Sequence, residues 1–148
     1  MVDKEKNEIP KYISSLDDIR SLCVEVLPKR LFWFSANRVI KENGIPGCHV
    51  YNMDHKYIYK PFNKDFGPPN LSHIAQYVLD IRRLVRENNM AGGRDPTSKV
   101  VIHHCSALSM YQANASVLMG AYAIFDMGFT AEEAYKLFAK KKARLAPF

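Results

Sequence analysis

The sequence predicts an α/β fold with a central mixed or parallel sheet flanked by helices, and three stretches carry this prediction. Val100-Val101-Ile102 is a short β-branched run, typical of a buried strand. Leu31 to Phe34 is aromatic almost throughout and predicts a second strand in the middle of the sheet. Gln112 to Met127 is apolar or small, has no proline and precedes Gly128, which predicts a helix buried on nearly every side.

Several weaker signals complete the first half of the chain. Residues 1–14 are largely polar and charged and are expected to form a flexible tail, with a single domain over 15–148. Ser15 predicts the N-cap of a helix that runs to about Val26. His49 to Asn52 and Tyr57 to Tyr59 predict two further strands, the second of them shorter.

The second half is predicted to be mainly helical around the strand at Val100. Asn70 predicts the N-cap of an amphipathic helix whose apolar residues recur with a period of 3.6. Thr130 and Glu133 form a capping box for a last helix that ends near Lys141. Gly120 lies inside the apolar helix, where glycine is costly, so we expect a strand or a bulky side chain to pack closely against it.

Composition limits the class of protein. Hydrophobic residues make up 47% and charged residues 24% of the 148 residues, which is ordinary for a globular domain. The net charge is +6, but the basic residues are spread out except at Lys140-Lys141-Lys142, so nucleic acid is an unlikely partner. No signal peptide or transmembrane run is visible, and we expect no membrane partner. We expect no cofactor either.

Three cysteines are present, and none of them lies in a C-x-x-C pair. An odd number of cysteines favours a reducing compartment, so the expected location is intracellular, either cytoplasmic or nuclear. The histidines and cysteines at His103, His104, Cys105, Cys48 and His49 could be imagined as a metal cluster. Adjacent residues on a strand point to opposite faces, so we predict no metal site.

His104-Cys105 lie where the predicted strand ends, as in the phosphate site of cysteine-dependent protein phosphatases. The sequence pattern of that site is His-Cys, two residues, Gly, two residues, Arg, and then Ser or Thr. The pattern provides closely spaced backbone N–H donors and an arginine that binds two phosphate oxygens at once. Here Leu108, Tyr111 and Gln112 replace the glycine, the arginine and the hydroxyl residue. We therefore predict no catalytic residue in this chain, with Cys105 a vestige of the site.

The same loop is still a candidate for an interface or for ligand binding, through His104, Cys105, Met110 and Tyr111. Asp65 could be a general acid, but without a phosphate cradle it would have nothing to protonate. Trp33 could be a ligand platform, although core packing is the simpler interpretation.

Several short motifs, taken in order, resemble the N-terminal half of the cell-division-cycle-fourteen family of dual-specificity protein phosphatases. They extend from about Leu27 to Phe148. The matching motifs are Pro61-Phe62, Asp65-Phe66-Gly67-Pro68, Asn70-Leu71, Ala113-Asn114-Ala115, Gly120-Ala121-Tyr122-Ala123 and Thr130-Ala131-Glu132-Glu133-Ala134-Tyr135. One difference is that Met110-Tyr111-Gln112 stands where the family usually has a basic cluster.

The resemblance implies a tandem protein in which two phosphatase-like domains pack side by side and only the second is catalytic. It also implies that the first domain supports the catalytic half and shapes the substrate groove for phosphoproteins. In keeping with this, Ala146-Pro147-Phe148 suggests that a catalytic domain follows in the natural gene. We also expect an exposed apolar patch, including the tail from Leu145 to Phe148, where that domain would sit.

Two other classes of function are open at this point. The chain could be a divergent stand-alone cysteine phosphatase or thiol-dependent hydrolase that uses Cys105. It could instead be an adaptor that binds phosphoproteins without cleaving them. The missing arginine argues against the first.

Overall fold

The computed structural model describes residues 15–35, 45–52, 54, 56–57, 69–89 and 98–139. Their four strands form one mixed sheet in the order β1-β2-β4-β3. The strands are β1 (Val24–Leu27), β2 (Leu31–Ser35), β3 (Cys48–Asn52) and β4 (Val100–Cys105). β1 runs antiparallel to β2, whereas β2 and β3 flank β4 in parallel. The predicted fold class is confirmed, and the aromatic strand β2 lies inside the sheet.

Helices cover both faces of this sheet. They are α1 (Leu16–Leu22), α2 (Leu71–Asn88), α3 (Ser109–Phe125) and α4 (Ala131–Phe138). On one face α1 contributes Ile19 to a core with Phe32 and Ile102. On the other face α2, α3 and α4 pack on Trp33 and Val101. The alternation of side chains along β2 and β4 thus divides the core between two layers of helix.

The first helix is shorter than predicted, and the chain has a strand that the sequence pattern did not predict. α1 ends at Leu22, and Cys23 is already extended at ψ 153°. Val24 and Val26 are buried while Glu25 is exposed, so the residues expected to end a helix form β1 instead. Two β-branched residues at alternate positions suit an antiparallel partner, and pairing with β2 outweighs the local helical spacing. The expectation of a helix to Val26 was wrong.

The segment between the strand predicted at Val100-Val101-Ile102 and the helix predicted from Gln112 contains more regular structure than expected. β4 continues through His103 and His104 to Cys105, because β2 pairs with it on one side and β3 on the other. α3 then begins at Ser109 rather than at Gln112. The true loop is only Ser106 to Leu108.

The ends of the later helices follow the sequence signals more closely. Asn70 caps α2, since its side chain accepts the N–H of His73 at 2.8 Å. Gly128 lies two residues beyond the C-cap Asp126 and has φ +71°, a left-handed conformation that suits glycine. Thr130 and Glu133 form the predicted capping box of α4, although α4 ends at Phe138, before the expected Lys141.

Other predictions fall partly or wholly outside the described residues. Tyr57 lies in a bend, while the rest of the short strand expected there, residues 58–59, lies outside the described residues. The same is true of residues 1–14, Asp65 with its surrounding segment 61–68, and the tail 140–148.

Candidate functional site

The candidate site lies at the carboxyl edge of the parallel strands, where Ser35 ends β2 and Cys105 ends β4. In open α/β sheets ligands bind outside this edge, so the location suits a site. Cys105 itself is only 1% exposed and belongs to the core beneath α3. The indole N–H of Trp33 donates to Cys105 Sγ at 3.3 Å. Trp33 also packs edge-on against Phe138 with ring centroids 5.5 Å apart, so it is a core residue and not an exposed platform.

The surroundings of Cys105 hold its thiol in the protonated form. Burial raises the pKa of Cys105 to about 11, and the nearby negative charge of Asp54 raises it as well. Hydrogen bonds from Trp33 and Ser35 lower it, but not enough to compensate. A nucleophilic cysteine needs cations or a helix N-terminus that favour the thiolate, so this environment is the opposite of a catalytic one.

Asp54 lies next to Cys105, at the start of the loop. In a cysteine phosphatase the backbone N–H groups of this loop point toward the phosphate. Both carboxylate oxygens of Asp54 accept the backbone N–H of Ser106, at 3.2 and 3.0 Å. Ser106 follows the cysteine, and its N–H is the first donor of such a cradle. A carboxylate of the protein itself therefore occupies this donor.

Sequence reasoning did not identify Asp54. The signal was present, because the residue follows β3, and the ends of parallel strands meet at one edge. Asn52, at the end of β3, helps to hold Asp54 at this edge, because its side-chain oxygen accepts the backbone N–H of Asp54 at 3.0 Å.

A second set of hydrogen bonds ties the loop to β2. The hydroxyl of Ser35 donates to the carbonyl of Ser106 at 3.1 Å. The side-chain amide of Gln112 in turn donates to the Ser35 hydroxyl at 2.9 Å. Gln112, which stands where the phosphatase pattern has a hydroxyl, thus anchors the first turns of α3 to the sheet.

The two histidines before Cys105 point to opposite faces, as the strand periodicity requires. His104 Nδ1 is 3.0 Å from the amide Nδ2 of Asn52, and its ring stacks on Phe34 on the α1 side. His103 lies under α2, where its Nδ1 is 2.9 Å from the hydroxyl of Tyr77. Burial lowers the pKa of His103 to about 3, so it is neutral at physiological pH.

The remaining positions of the degenerate motif lie on the first turn of α3. Leu108 is exposed and takes φ −63°, an ordinary extended conformation, and no side chain caps the helix there. Met110 and Tyr111 are half-buried on the next residues. His104 and Cys105 are thus buried on opposite faces at the end of β4, and Met110 and Tyr111 lie on α3, which packs on the Cys105 face. The use of these residues as an interface or ligand loop stays a prediction.

Within the described ranges no group of three or more histidine, cysteine or acidic residues is arranged to hold a metal ion. Among the described helices none is both long and apolar enough to cross a membrane.

A second candidate surface is an apolar groove between the start of α2, the outer side of α3, and α4. It has a volume of about 670 Å³. Large apolar side chains on its rim are exposed: Leu71 by 76%, Phe125 by 66% and Tyr135 by 70%. Among the described residues nothing covers this side of α3, so the expectation that the helix is buried on nearly every side is not met there.

Gly120 forms part of this groove. A Cβ atom at this position would lie 3.9 Å from the ring of Phe138, which is an ordinary van der Waals contact. The bulky side chain expected beside Gly120 is that of Phe138, although it packs at an ordinary contact distance and, among the described residues, no strand approaches the glycine.

A mixed sheet with a His-Cys pair ending a central strand, followed by a long helix, defines a dual-specificity-phosphatase-like fold. The family model described as "Dual specificity protein phosphatase, N-terminal half" matches residues 25–148. The chain belongs to this family, and the resemblance inferred from the short motifs is confirmed.

The relatives it matches are CDC14 proteins. It is 30% identical over 125 residues to zebrafish dual specificity protein phosphatase CDC14AB, which covers 84% of this chain. It is 25% identical over 147 residues to mouse CDC14B and 28% identical over 108 residues to a tyrosine-protein phosphatase CDC14 homolog of Schizosaccharomyces pombe, covering 99% and 73% of this chain. The chain spans only 19% of the zebrafish and fission yeast proteins and 28% of the mouse protein.

Proposed function

We propose that this chain is a non-catalytic N-terminal domain of a dual-specificity protein phosphatase, which supports the catalytic half and its recognition of substrates. The observation that carries the proposal is the carboxylate of Asp54 on the N–H of Ser106, where a substrate phosphate would bind. An internal carboxylate repels a phosphate dianion, and no arginine of the motif is present to outweigh it.

The state of Cys105 supports the same proposal. A buried thiol with a raised pKa supplies almost no thiolate at neutral pH. His104, which precedes it, points to the other face of the sheet and hydrogen-bonds with Asn52. These features support a domain whose role depends on its fold and its surfaces and not on catalysis.

A steady-state assay with an aryl phosphate tests this part of the proposal. Purified protein and its Cys105→Ser variant should show the same rate, equal to that of buffer, because neither has a nucleophile or a phosphate grip. A rate that disappears with the cysteine would establish the alternative, a stand-alone cysteine phosphatase.

We propose further that the catalytic half packs on the apolar groove formed by α2, α3 and α4. A helix with apolar residues on all sides is stable in water only when its open side is covered. α3 exposes Phe125 and Ile124 on that side, and α4 adds Tyr135. Exposed apolar patches of this kind mark interaction sites, and interfaces between domains bury about 600–1,500 Å².

Binding of the catalytic half of a CDC14 relative, measured by isothermal titration, tests the docking surface. Phe125→Ser and Tyr135→Ser should each weaken binding by about tenfold or more, as expected for aromatic anchors. Leu79→Ser is the matched control, because Leu79 is 53% exposed on α2 but is not part of the groove. Equal affinities for all three variants would refute this surface.

We also propose that the whole protein acts on phosphoproteins inside the cell, in the cytoplasm or the nucleus. Cys23, Cys48 and Cys105 are all buried and none of them forms a disulfide, which suits a reducing compartment. Fractionation of cells expressing the full-length protein would test the location, and recovery in the secreted fraction would contradict it.

A further inference from the structure

Asp80 is a buried carboxylate on α2 that belongs neither to the candidate site nor to the apolar groove. It is 5% exposed, and its helix neighbours Tyr77 and Ile81 are core residues. A carboxylate in such surroundings stays charged only where hydrogen-bond donors replace the lost water. The groups that donate to Asp80 therefore indicate its role.

Two of these groups follow β3 in the chain. Lys56 Nζ is 3.1 Å from Asp80 Oδ2, and the hydroxyl of Tyr57 donates to the same oxygen. From α2 itself, Gln76 Nε2 donates to Oδ1 at 2.9 Å, and a guanidinium nitrogen of Arg83 lies 3.7 Å from Oδ1. Burial raises the pKa of Asp80, but the hydrogen bonds from Tyr57, Gln76 and Lys56 outweigh burial and lower the pKa below its ordinary value. Asp80 is thus charged at neutral pH and joins the residues after β3 to α2.

The ammonium of Lys56 is held by more than this ion pair. It donates to the hydroxyl of Tyr51, a residue of β3, at 3.0 Å. It also lies 5.4 and 5.6 Å from the ring centroids of Tyr51 and Tyr57, within the range of cation–π contacts. An ion pair between two exposed groups contributes little, whereas Asp80 is buried and loss of its cation is costly.

Lys56 is two residues after Asp54, the carboxylate that accepts the N–H of Ser106. Two residues of chain span at most about 7 Å, so the anchor at Lys56 limits how far Asp54 can move. Toward β3, the side chain of Asn52 holds the backbone N–H of Asp54. Asp54 is therefore held between an anchor on β3 and an anchor on α2.

We propose that Asp80 and Lys56 are positioning residues for the Asp54 carboxylate. Their ion pair keeps Asp54 on the N–H of Ser106, and without it Asp54 leaves this donor while the sheet stays folded. The inference rests on the proposed function only through Asp54, which carries both. The aryl phosphate assay does not measure the position of Asp54, so the two proposals can fail separately.

Amide hydrogen exchange at Ser106, followed by NMR, tests the proposal. Asp80→Asn and Lys56→Met should each raise the exchange rate of this amide about tenfold, while the amides of β4 keep their protection. If Asp80→Asn does not fold, Lys56→Met carries the test, because it removes only one of the groups that donate to Asp80. Lys56→Arg retains the charge and should keep the wild-type rate.

Asp126→Asn is the matched control. Asp126 also forms an ion pair with α2, through Arg82, and its side chain is 13% exposed, against 7% for Asp80. The variant therefore removes a carboxylate of similar burial that has no contact with the residues after β3. Exchange at Ser106 should stay within about twofold of the wild type.

The reactivity of Cys105 gives a second readout on the same proteins. The negative charge of Asp54 is one cause of the raised pKa of Cys105, whereas burial alone raises that of Cys48. Alkylation by iodoacetamide, resolved by mass spectrometry, should therefore be faster at Cys105 by about threefold or more in Asp80→Asn and Lys56→Met. The rate at Cys48, which is also buried, should change by less than about twofold.

The expected result is faster exchange at Ser106 together with a higher ratio of Cys105 to Cys48 alkylation. An unchanged Ser106 amide, an equal gain at both cysteines, or the same gain in Asp126→Asn would overturn the proposal. Equal rates in Lys56→Arg and Lys56→Met would overturn it as well, because the charge of the side chain would then play no part.

Discussion

The reactivity of Cys105 gives the sharpest test of the non-catalytic interpretation. With a pKa of about 11, only about one molecule in 10⁴ carries the thiolate at pH 7. A nucleophile with a pKa below 6 would be more than about 90% ionised at the same pH. The two interpretations thus differ by about four orders of magnitude in the fraction of Cys105 that is ionised at pH 7.

Alkylation by iodoacetamide, followed by mass spectrometry across pH, measures this difference. Cys23→Ala with Cys48→Ala leaves Cys105 as the single thiol of the chain. We expect the rate to rise about tenfold per pH unit from 7 to 10 without a plateau. Adding Asp54→Asn should increase the rate at every pH in that range, because Asp54 is one cause of the raised pKa.

The same protein unfolded in urea is the control, and its thiol should titrate near the ordinary value of 9.0. Circular dichroism confirms that the double variant is folded before alkylation begins. A plateau with a midpoint below pH 7 in the folded protein would refute the argument, because it would show a stabilised thiolate at the loop.

Three further predictions concern stability. The pKa of His103 is about 3 in the folded protein, against 6.5 for an ordinary histidine. Because the unfolded chain binds the proton first, the free energy of unfolding should fall by a few kcal/mol as the pH drops from 6.5 toward 3. Urea titrations of the wild type and of His103→Gln should show a smaller drop in the variant, and an equal drop would assign the acid sensitivity to other groups. Gly120→Ala should stabilise the protein by about 0.5–1 kcal/mol, because among the described residues the new methyl group meets only the ring of Phe138, at an ordinary distance. A loss of stability in urea would show a crowded site. Thr130→Ala should cost about 1 kcal/mol through loss of the hydroxyl that accepts the Glu133 N–H at 3.1 Å, and an unchanged thermal midpoint would show that this cap contributes nothing.

The sequence by itself determined the features that depend on local chemistry. The β-branched run at Val100 and the capping residues Asn70 and Thr130 act within one turn or strand, and the structure has them where their patterns predict. Gly128 has the left-handed φ that suits glycine, but α3 ends at Phe125, before the predicted Met127. The replacement of the motif glycine and arginine by Leu108 and Tyr111 likewise follows from residue types alone.

The tertiary structure decided what depends on pairing between distant segments. Val24 to Leu27 became a strand because β2 offered an antiparallel partner, and His103 stayed in β4 because strands pair with it on both sides. The carboxylate of Asp54 reaches Ser106, 52 residues away along the chain, only because β3 and β4 end side by side. The groove beside α3 could not be predicted either. The apolar pattern of α3 predicts burial on every side, whereas α2 and α4, the described helices that contact α3, leave the side with Ile124 and Phe125 uncovered.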